Sequence, residues 1–164
     1  MENVDYDRIQ VKDVADLAGV ALGTLYRYFN SKDHLFACAL YEWAAGFGDR
    51  VAMTSDIPSS ERVKRVYRRA ARAFERVPRV YDVMIQLQGS KDEYATRVYR
   101  DFAQLQSQAF ASALTDLPET ARDDIVDVMS AVLSEGLRGR HRGTLSAAQL
   151  QARIDRAVDL MLDA

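Results

Sequence analysis

Apolar residues recur at helical spacing along most of the chain, and turn residues divide this pattern into segments. The first two segments are short and are separated by Gly19, which can take the left-handed conformation that ends a helix. On each segment the apolar residues share one face. In the first segment they are Val14, Leu17 and Ala18, and in the second they are Leu25, Tyr26 and Phe29. The pattern predicts two short helices joined by a glycine turn, with Leu25, Tyr26 and Phe29 in a small core.

Six longer helices are predicted after this pair. They run from Lys32 to about Met53, Glu61 to Val77, Pro78 to Gly89, about Lys91 to Thr115, Glu119 to about Leu137, and from Ser146 to near the end. Ser31 and Ser146 are suitable caps. The helix at Pro78 is apolar nearly all round, so we expect it to be buried. Residues 138–143 are expected to form a basic, glycine-bounded loop at a helix end, where the cations complement the negative terminus of the helix; a phosphate site is the alternative. No strand pattern is present, and the predicted fold class is all-α.

Composition narrows the classes of protein further. The chain has 164 residues, of which 48% are hydrophobic and 28% charged, as is typical of a soluble globular protein. No apolar run long enough for a membrane span and no signal peptide are seen, so a cytoplasmic location is expected. One cysteine and two histidines allow neither an internal disulfide nor a zinc cluster. With no nucleophile, phosphate-loop or metal motif, we expect neither an enzyme nor a cofactor.

The charge distribution does not by itself favour nucleic acid. The formal net charge is −2, and the part up to Pro58 holds five basic residues against nine acidic ones. DNA affinity depends strongly on neutralising phosphates, so this excess of acidic residues counts against DNA binding.

Residues 18–35, Ala-Gly-Val-Ala-Leu-Gly-Thr-Leu-Tyr-Arg-Tyr-Phe-Asn-Ser-Lys-Asp-His-Leu, resemble the TetR family of one-component transcriptional regulators. Its pattern is AGVSxGTLYxYFxSKxxL, and the main departure is Ala21, where serine would cap the second helix at a gain of about 1 kcal/mol. Within the family this stretch resembles the KstR-like repressors of steroid catabolism, as do Arg76-Val-Pro and Arg153-Ile-Asp-Arg-Ala-Val-Asp-Leu.

The resemblance implies a helix-turn-helix DNA-binding domain at 1–35 and a helical effector-binding and dimerisation domain at 36–164. The second short helix would then be the recognition helix. Leu22, Gly23 and Thr24 would lie against base edges, and phosphates would be contacted by Lys12, Thr24, Tyr28 and Lys32.

The family has a further helix, often with a basic arm, before the segment that matches 6–10. Here Met1 lies only a few residues upstream of that segment. Either the start is assigned too late, or the helix is absent, in which case Val14, Leu17, Leu25 and Phe29 lose packing and DNA binding is impaired. The second alternative predicts a dimeric small-molecule receptor without DNA-binding activity.

Aromatic rings, methionine and glutamine on neighbouring helices could line an apolar cavity or simply fill a core, and the residues leave both open. The resemblance favours a cavity for an apolar effector, which in KstR-like repressors is a steroid coenzyme A thioester. The candidate ligand-binding residues are Trp43, Phe47, Phe74, Tyr81, Met84, Ile85, Tyr99, Phe102 and Gln106. The strongly basic face of 61–77 is either a solvated face with ion pairs or a docking surface for the phosphates of such a thioester.

The last two predicted helices carry apolar stripes that serve either a dimer interface or the internal core. The resemblance implies a homodimer built on them, which suits a pseudo-palindromic operator in double-stranded DNA. The candidate interface residues are Val128, Met129, Val132, Leu150, Ile154, Val158 and Met161. The function implied is a ligand-responsive repressor that an apolar effector releases from its operator.

Overall fold

A computed structural model describes residues 6–48 and 57–162, with side chains described for 6–46 and 57–162. Within these ranges the chain is all-α, as predicted, and contains no strand. The helices are α1 (Val11–Ala18), α2 (Leu22–Tyr28), α3 (Lys32–Gly48), α4 (Ser59–Arg76), α5 (Pro78–Gln88), α6 (Glu93–Ala111), α7 (Glu119–His141) and α8 (Ala147–Leu162). Short 3-10 turns occupy Tyr6–Arg8 and Ser112–Leu114. The predicted end of α3 near Met53 lies outside the described residues.

The predicted serine caps are confirmed. The Ser31 hydroxyl accepts a hydrogen bond from the His34 backbone N–H at 3.0 Å at the start of α3. At the start of α8, the Gln149 N–H donates to the Ser146 hydroxyl at 3.2 Å, and the Gln149 side chain accepts from the Ser146 N–H at 2.8 Å. This reciprocal pair of hydrogen bonds is a capping box, in which residues of the first turn fix the start of α8.

The helix end predicted at 138–143 is confirmed, but most of this stretch is helical and not a loop, because α7 continues to His141. Arg138, Arg140 and His141 occupy its last turn, where positive side chains face the negative end of the helix dipole. Gly143 follows with a φ of 71° and allows the chain to turn away.

Helix α5 also differs from the expectation that it is buried all round. Tyr81, Met84 and Leu87 are buried at helical spacing, whereas Arg79 and Gln86 are exposed. The helix is therefore one-sided, and the additional apolar residues flank its buried face.

By its contacts the chain divides into two compact units that do not follow chain order. One unit comprises Met1–Gly46 and Asp82–Ala103, and the other comprises Phe47–Tyr81 and Gln104–Ala164. The division predicted after residue 35 separates a DNA-binding part from an effector-binding part by function, whereas these two units are defined by contacts. The functional division stays a prediction.

In the second unit, α4 packs against α8, and α8 packs against α7. The core contains fully buried Tyr67, Leu114 and Met129, together with Leu150, Ile154 and Val158 of α8. Tyr67 stacks on Phe110 with ring centroids 4.1 Å apart. Gly136 lets α7 approach α8 closely, since a Cβ there would lie 2.2 Å from Leu150 Cδ1.

The basic face of α4 is largely engaged by acidic side chains of the same unit. Lys64 pairs with Asp159, and Arg68 Nη2 lies 2.5 Å from Asp155 Oδ2, so two cations bind α8. Arg62 is buried, donates to the Ala113 carbonyl at 3.0 Å and pairs with Asp116 at 2.5 Å. Of the two alternatives for this face, the structure favours ion pairing over phosphate docking at these three positions.

Candidate DNA-binding and ligand-binding sites

The helix-turn-helix is built on the glycine turn that the sequence predicts. Gly19 has a φ of 67°, its N–H donates to carbonyls of the last turn of α1, and the Val20 N–H donates to the Ala15 carbonyl at 3.0 Å. Ala21 is extended and starts α2 without a side-chain cap, as expected for alanine at this position. The hydrogen bonds that end α1 and form the turn are therefore made by backbone groups.

Most of the candidate DNA contacts lie on the surface. Lys12, Leu22, Gly23 and Tyr28 are exposed, with Tyr28 at 71% of its full accessibility, and Thr24 is half-buried. A Cβ placed on Gly23 would meet nothing within 4 Å, so the start of α2 presents an open backbone surface. Side chains and backbone at this end of α2 are available to approach base edges and phosphates.

The apolar residues of α1 and α2 are less buried than predicted. Leu25 and Phe29 are half-buried, but Tyr26 is exposed, which corrects its assignment to the core. Leu17 is 90% exposed, and Val14 is half-buried. Because Leu17 lies outside the core in this structure, it contributes little to fixing α1 against α2.

Lys32 has a structural partner that the sequence did not reveal. Its ammonium donates to the Tyr6 carbonyl and lies 4.3 Å from the centroid of the Tyr6 ring. Lys32 therefore holds the 3-10 turn at Tyr6–Arg8 against α3, and its contact with phosphate stays a prediction.

A polar cluster connects the start of α3 with the corner between α5 and α6, and we call it the Asp33 cluster. Asp33 accepts hydrogen bonds from Tyr6 Oη to Oδ1 at 2.7 Å and from Ser90 Oγ to Oδ2 at 2.5 Å. The Asp92 N–H donates to Ser90 Oγ at 3.2 Å, and Asp92 Oδ1 accepts from the Ala95 N–H at 2.8 Å.

The Asp92 carboxylate also belongs to this cluster. A hydrogen bond from Ser31, followed in strength by that from the Ala95 N–H, lowers the pKa of Asp92. Since Ser31 caps α3, which follows α2 after a short turn, the cluster links the α5–α6 corner to the segment that carries α2. Sequence periodicity gave no sign of it, because the contacts of Asp33 with Tyr6 and Ser90, and that of Asp92 with Ser31, join distant parts of the chain.

The structure divides the candidate ligand-binding residues between the two units. Trp43, Met84, Ile85, Tyr99 and Phe102 lie in the first, and Phe74, Tyr81 and Gln106 lie in the second. The side chain of Phe47 is outside the described residues. Of these candidates, Phe74 and Tyr81 line a common cleft.

In the first unit, two of the candidate ligand-binding residues, Tyr99 and Phe102, pack against each other. The rings of Tyr99 and Phe102 have centroids 5.6 Å apart, and Gln88 Nε2 donates to Tyr99 Oη at 3.0 Å. Burial raises the pKa of Tyr99, while the bond from Gln88 opposes this shift. Phe102 is fully buried, which is the packing expected of a filled core.

The cleft in the second unit, hereafter the Tyr81 cleft, lies where α4 ends, α5 begins and α7 ends. It has a volume of about 120 Å³ and is partly open. Its walls are the rings of Phe74, Pro78, Tyr81 and His141, the Leu137 side chain, and the ion pair of Glu75 and Arg140. Glu75, Leu137, Arg140 and His141 were not identified from the sequence as ligand candidates.

The candidate dimer residues fall into two groups. Met129, Leu150, Ile154 and Val158 are fully buried within a single chain, so their side chains form its core and cannot also face a second copy. This corrects the prediction for these four. Val128 is 51% exposed, Val132 and Met161 are half-buried, and Leu160, which was not predicted, is 76% exposed. An interface on the outer faces of α7 and α8 stays a prediction.

Within residues 6–48 and 57–162, no helix is long and apolar enough to cross a membrane.

Family models match both parts of the chain. Residues 1–39 match the model described as bacterial regulatory proteins, tetR family, and residues 58–161 match the tetracyclin repressor-like C-terminal domain. The first match includes α1, the glycine turn and α2, and the second includes the Tyr81 cleft.

Curated relatives are similar over nearly the whole chain. The HTH-type transcriptional repressor KstR of Mycolicibacterium smegmatis is 32% identical over 161 residues, which cover 96% of this chain and 78% of the relative. KstR of Mycobacterium tuberculosis is 31% identical, with coverage of 96% and 73%.

Solved structures share the fold. A TetR transcriptional regulator from Rhodococcus sp. RHA1 has a TM-score of 0.74 at 28% identity, covering 98% of this chain and 90% of that one. The transcriptional regulator FadR from Bacillus subtilis, in complex with stearoyl-CoA, has a TM-score of 0.74 at 16% identity, covering 96% and 89%. At that identity the FadR likeness shows the fold alone.

Proposed function

Because the chain belongs to the TetR family of bacterial regulatory proteins, we propose that it is a ligand-responsive transcriptional repressor that binds operator DNA. The observation that carries this proposal is the helix-turn-helix, in which Gly19 sets the turn and α2 presents Leu22 and Gly23 on an open surface. In this role the protein acts in the cytoplasm, where its operator is accessible.

DNA recognition in this proposal uses two kinds of contact. Leu22, Gly23 and Thr24 at the start of α2 approach base edges, and Lys12 and Tyr28 contact phosphates on either side. Lys32 acts chiefly by positioning α3, since its ammonium binds Tyr6. Few cations are involved, so we expect the affinity to depend on shape and base contacts as well as on charge.

The proposed active form is a homodimer that pairs the outer faces of α7 and α8 around Val128, Val132, Leu160 and Met161. The exposure of Leu160 and Val128 supports this surface, because large apolar side chains that remain exposed in one chain gain stability when a second chain covers them. Two-fold symmetry would place the two recognition helices about 34 Å apart on a pseudo-palindromic operator.

We propose that effector binding releases the protein from DNA by shifting the population between two conformations. The effector must bind the conformation that is incompatible with DNA more tightly than the one that binds DNA. The Asp33 cluster supports a route for this coupling, because it joins the α5–α6 corner to the start of α3 by hydrogen bonds to one carboxylate. A displacement of Ser90 would therefore be transmitted to Asp33, in the first turn of α3.

The proposed effector is apolar, and a steroid or fatty acyl-CoA is the class suggested by the relatives. KstR repressors are the curated relatives, and the fold of FadR holds stearoyl-CoA. The basic face of α4 does not strengthen the coenzyme A part of this proposal, since Lys64 and Arg68 are paired with α8.

A salt-titrated binding assay against DNA tiles from the region of the protein's own gene tests the proposal. We expect specific binding to one tile, weakened as salt rises, and loss of binding when a matching acyl-CoA or steroid thioester is added. Binding that does not discriminate among the tiles at low salt would contradict the repressor.

The second candidate is a dimeric receptor without DNA-binding activity. It is favoured by one observation, the 90% exposure of Leu17, which removes this side chain from the apolar contacts between α1 and α2. In the same assay this candidate predicts no specific tile at any salt concentration, together with thioester binding measured by calorimetry.

A further inference from the structure

His34 connects the end of α2 to the start of α6. It lies in the first turn of α3, and its ring makes an edge contact with the ring of Phe29, with centroids 5.7 Å apart. The ring of Tyr94 lies 5.6 Å from that of His34 between centroids. Phe29 is the C-cap of α2, and Tyr94 is the second residue of α6. All three residues belong to the first compact unit, so one side chain contacts both of the other helices within it.

The polar contact of His34 requires a neutral ring. The Asn30 backbone N–H donates to His34 Nδ1 at 3.2 Å, and a backbone N–H can only donate. Nδ1 therefore carries a lone pair, and the proton of the neutral imidazole is on Nε2. A protonated imidazole has an N–H group at both nitrogens, so it cannot accept this bond. The hydrogen bond between Asn30 and His34 thus exists in one charge state of the ring.

Helix α2 receives little support from burial. It has seven residues, begins after Ala21 without a side-chain cap, and none of Leu22–Tyr28 is buried. Its position therefore depends strongly on contacts at its two ends, because a helix of this length is not stable by itself. At the C-terminal end these contacts include the edge packing of Phe29 and the hydrogen bond from Asn30, and both are made to His34.

Asp92 is the charged group that acts on His34 from the α5–α6 corner. Hydrogen bonds from Ser31 and the Ala95 N–H are the main causes of the lowered pKa of Asp92, and the charge of His34 lowers it further. The carboxylate therefore stays ionised in neutral and mildly acidic solution. It attracts a protonated imidazole, whereas the positive end of the α3 dipole disfavours one in the first turn. Protonation of the ring removes the bond from Asn30 and adds an attraction towards the corner.

The other titratable groups near the ring are a phenol, an ammonium and a second carboxylate. The phenol is that of Tyr94 on α6, and on α3 itself Lys32 and Asp33 are both bound to Tyr6. Side chains of these three kinds ordinarily titrate outside the range in which an imidazole changes charge. The end of α2 contacts the ring through a phenyl group and a backbone N–H, neither of which titrates. A change at this contact in mild acid therefore comes from His34 itself.

We propose that neutral His34 is a positioning residue for the end of α2, and that its protonation releases Asn30 and weakens operator binding. The positioning depends on contacts within one unit and is independent of what α2 binds. The effect on operator binding rests on the proposed function, in which α2 is the recognition helix. Histidine side chains ordinarily change charge between about pH 5 and 8, so the bond is present at the upper end of this range and is lost as the pH falls.

The first test is a titration of the ¹⁵N-labelled full chain from about pH 8 to about pH 5, without DNA. The chain has two histidines, and His141→Gln assigns the ring resonances of His34 by difference. We expect Nδ1 of His34 to be unprotonated at the upper pH. The Asn30 amide should shift with the same midpoint as the ring, and its protection from solvent exchange should fall. A proton on Nδ1 at the upper pH, or unchanged protection of Asn30, would overturn the positioning role.

The matched variants for DNA binding are His34→Asn and His34→Ala. An asparagine side-chain oxygen can accept the bond that Nδ1 accepts, but it does not titrate, whereas alanine removes the acceptor. On the DNA tile selected in the salt-titrated assay, we expect wild-type affinity to fall about 3- to 10-fold over the same pH range, as for one net hydrogen bond. His34→Asn should keep the higher affinity throughout, and His34→Ala should keep the lower one. His141→Gln, in the other unit, should follow the wild type.

Two results separate this inference from the proposed function. If His34→Asn keeps the wild-type pH profile on the tile, His34 does not position α2 for DNA, although the repressor proposal stands. If Asn30 loses protection as His34 is protonated while no tile is bound, the local role of His34 stands, and the repressor proposal fails together with the effect on operator binding.

Discussion

Ser90 Oγ donates a hydrogen bond of 2.5 Å to Asp33 Oδ2, across 57 residues of sequence. The other oxygen of the same carboxylate accepts from Tyr6 Oη at 2.7 Å. One side chain therefore ties both the 3-10 turn before α1 and the α5–α6 corner to the start of α3. Because α3 follows α2 after only a short turn, this carboxylate lies close in sequence to α2.

Ser90→Ala removes the donor to Asp33 and the acceptor of the Asp92 N–H. We expect the free energy of unfolding to fall by about 1–2 kcal/mol, since the lost bond involves a charged acceptor. In the repressor, operator affinity should persist while release by the effector is weakened. Urea unfolding and operator competition measure the two effects, with the exposed Ser107→Ala as the control. Unchanged release with normal stability would show that the Asp33 cluster carries no coupling.

Gly19→Ala and Gly23→Ala separate folding from DNA contact. Neither added Cβ meets an atom within 4 Å, but only Gly19 has a positive φ, at 67°. Gly19→Ala should cost about 1–2 kcal/mol of stability by forcing a left-handed alanine. Gly23→Ala should keep or raise stability by up to about 1 kcal/mol through helix propensity, yet weaken operator binding. Thermal melts and DNA titrations of both variants check this, and a stable Gly19→Ala protein would contradict the role of the turn.

Gly136→Ala overpacks the contact between α7 and α8. The new Cβ would lie 2.2 Å from Leu150 Cδ1, and Leu150 is fully buried. We expect a loss of about 1–3 kcal/mol. Combining it with Leu150→Ala should destabilise less than the sum of the two single changes, because the second change opens the space that the first fills. Additive free energies in the double-mutant cycle would exclude this contact.

The lowered pKa of Asp92 predicts acid sensitivity of the α5–α6 corner. Its pKa in the unfolded chain is about 3.9, and bonds from Ser31 and the Ala95 N–H place the folded value below that. The stabilisation is therefore present above about pH 4 and is lost as the pH falls through the folded value. Asp92→Asn should reduce the pH dependence of the melting temperature on the acid side. Asp101→Asn, an exposed change on α6, controls for net charge.

Lys12 and Leu22 should differ in what they contribute to DNA binding. Lys12→Ala is expected to weaken binding to all sequences alike and to reduce the salt slope by about one unit, as for one phosphate contact. Leu22→Ala is expected to change the preference among operator variants with the salt slope kept. Both residues are exposed, so folding should be unaffected. Equal loss of sequence preference in both variants would contradict this division of roles.

The sequence by itself determined the local features. Helical spacing, the serine caps and the glycine turn depend on residues within one or two turns of each other, which is why all eight helices within the described ranges were predicted, and why Gly19, Ser31 and Ser146 have their expected roles. The residue pattern at 18–35 also identified the family, because the turn and the recognition helix are continuous in sequence.

Only the tertiary structure decided which apolar and charged faces meet. It buried Met129 and Leu150 inside one chain and paired Lys64 and Arg68 with α8. It also brought Tyr81 and Arg140, on α5 and α7, to one cleft. The physical reason is that burial of apolar area is non-directional. An amphipathic stripe therefore predicts that one face of a helix is buried, but it does not predict which other element buries it. The partner of each face depends on contacts between residues far apart in sequence.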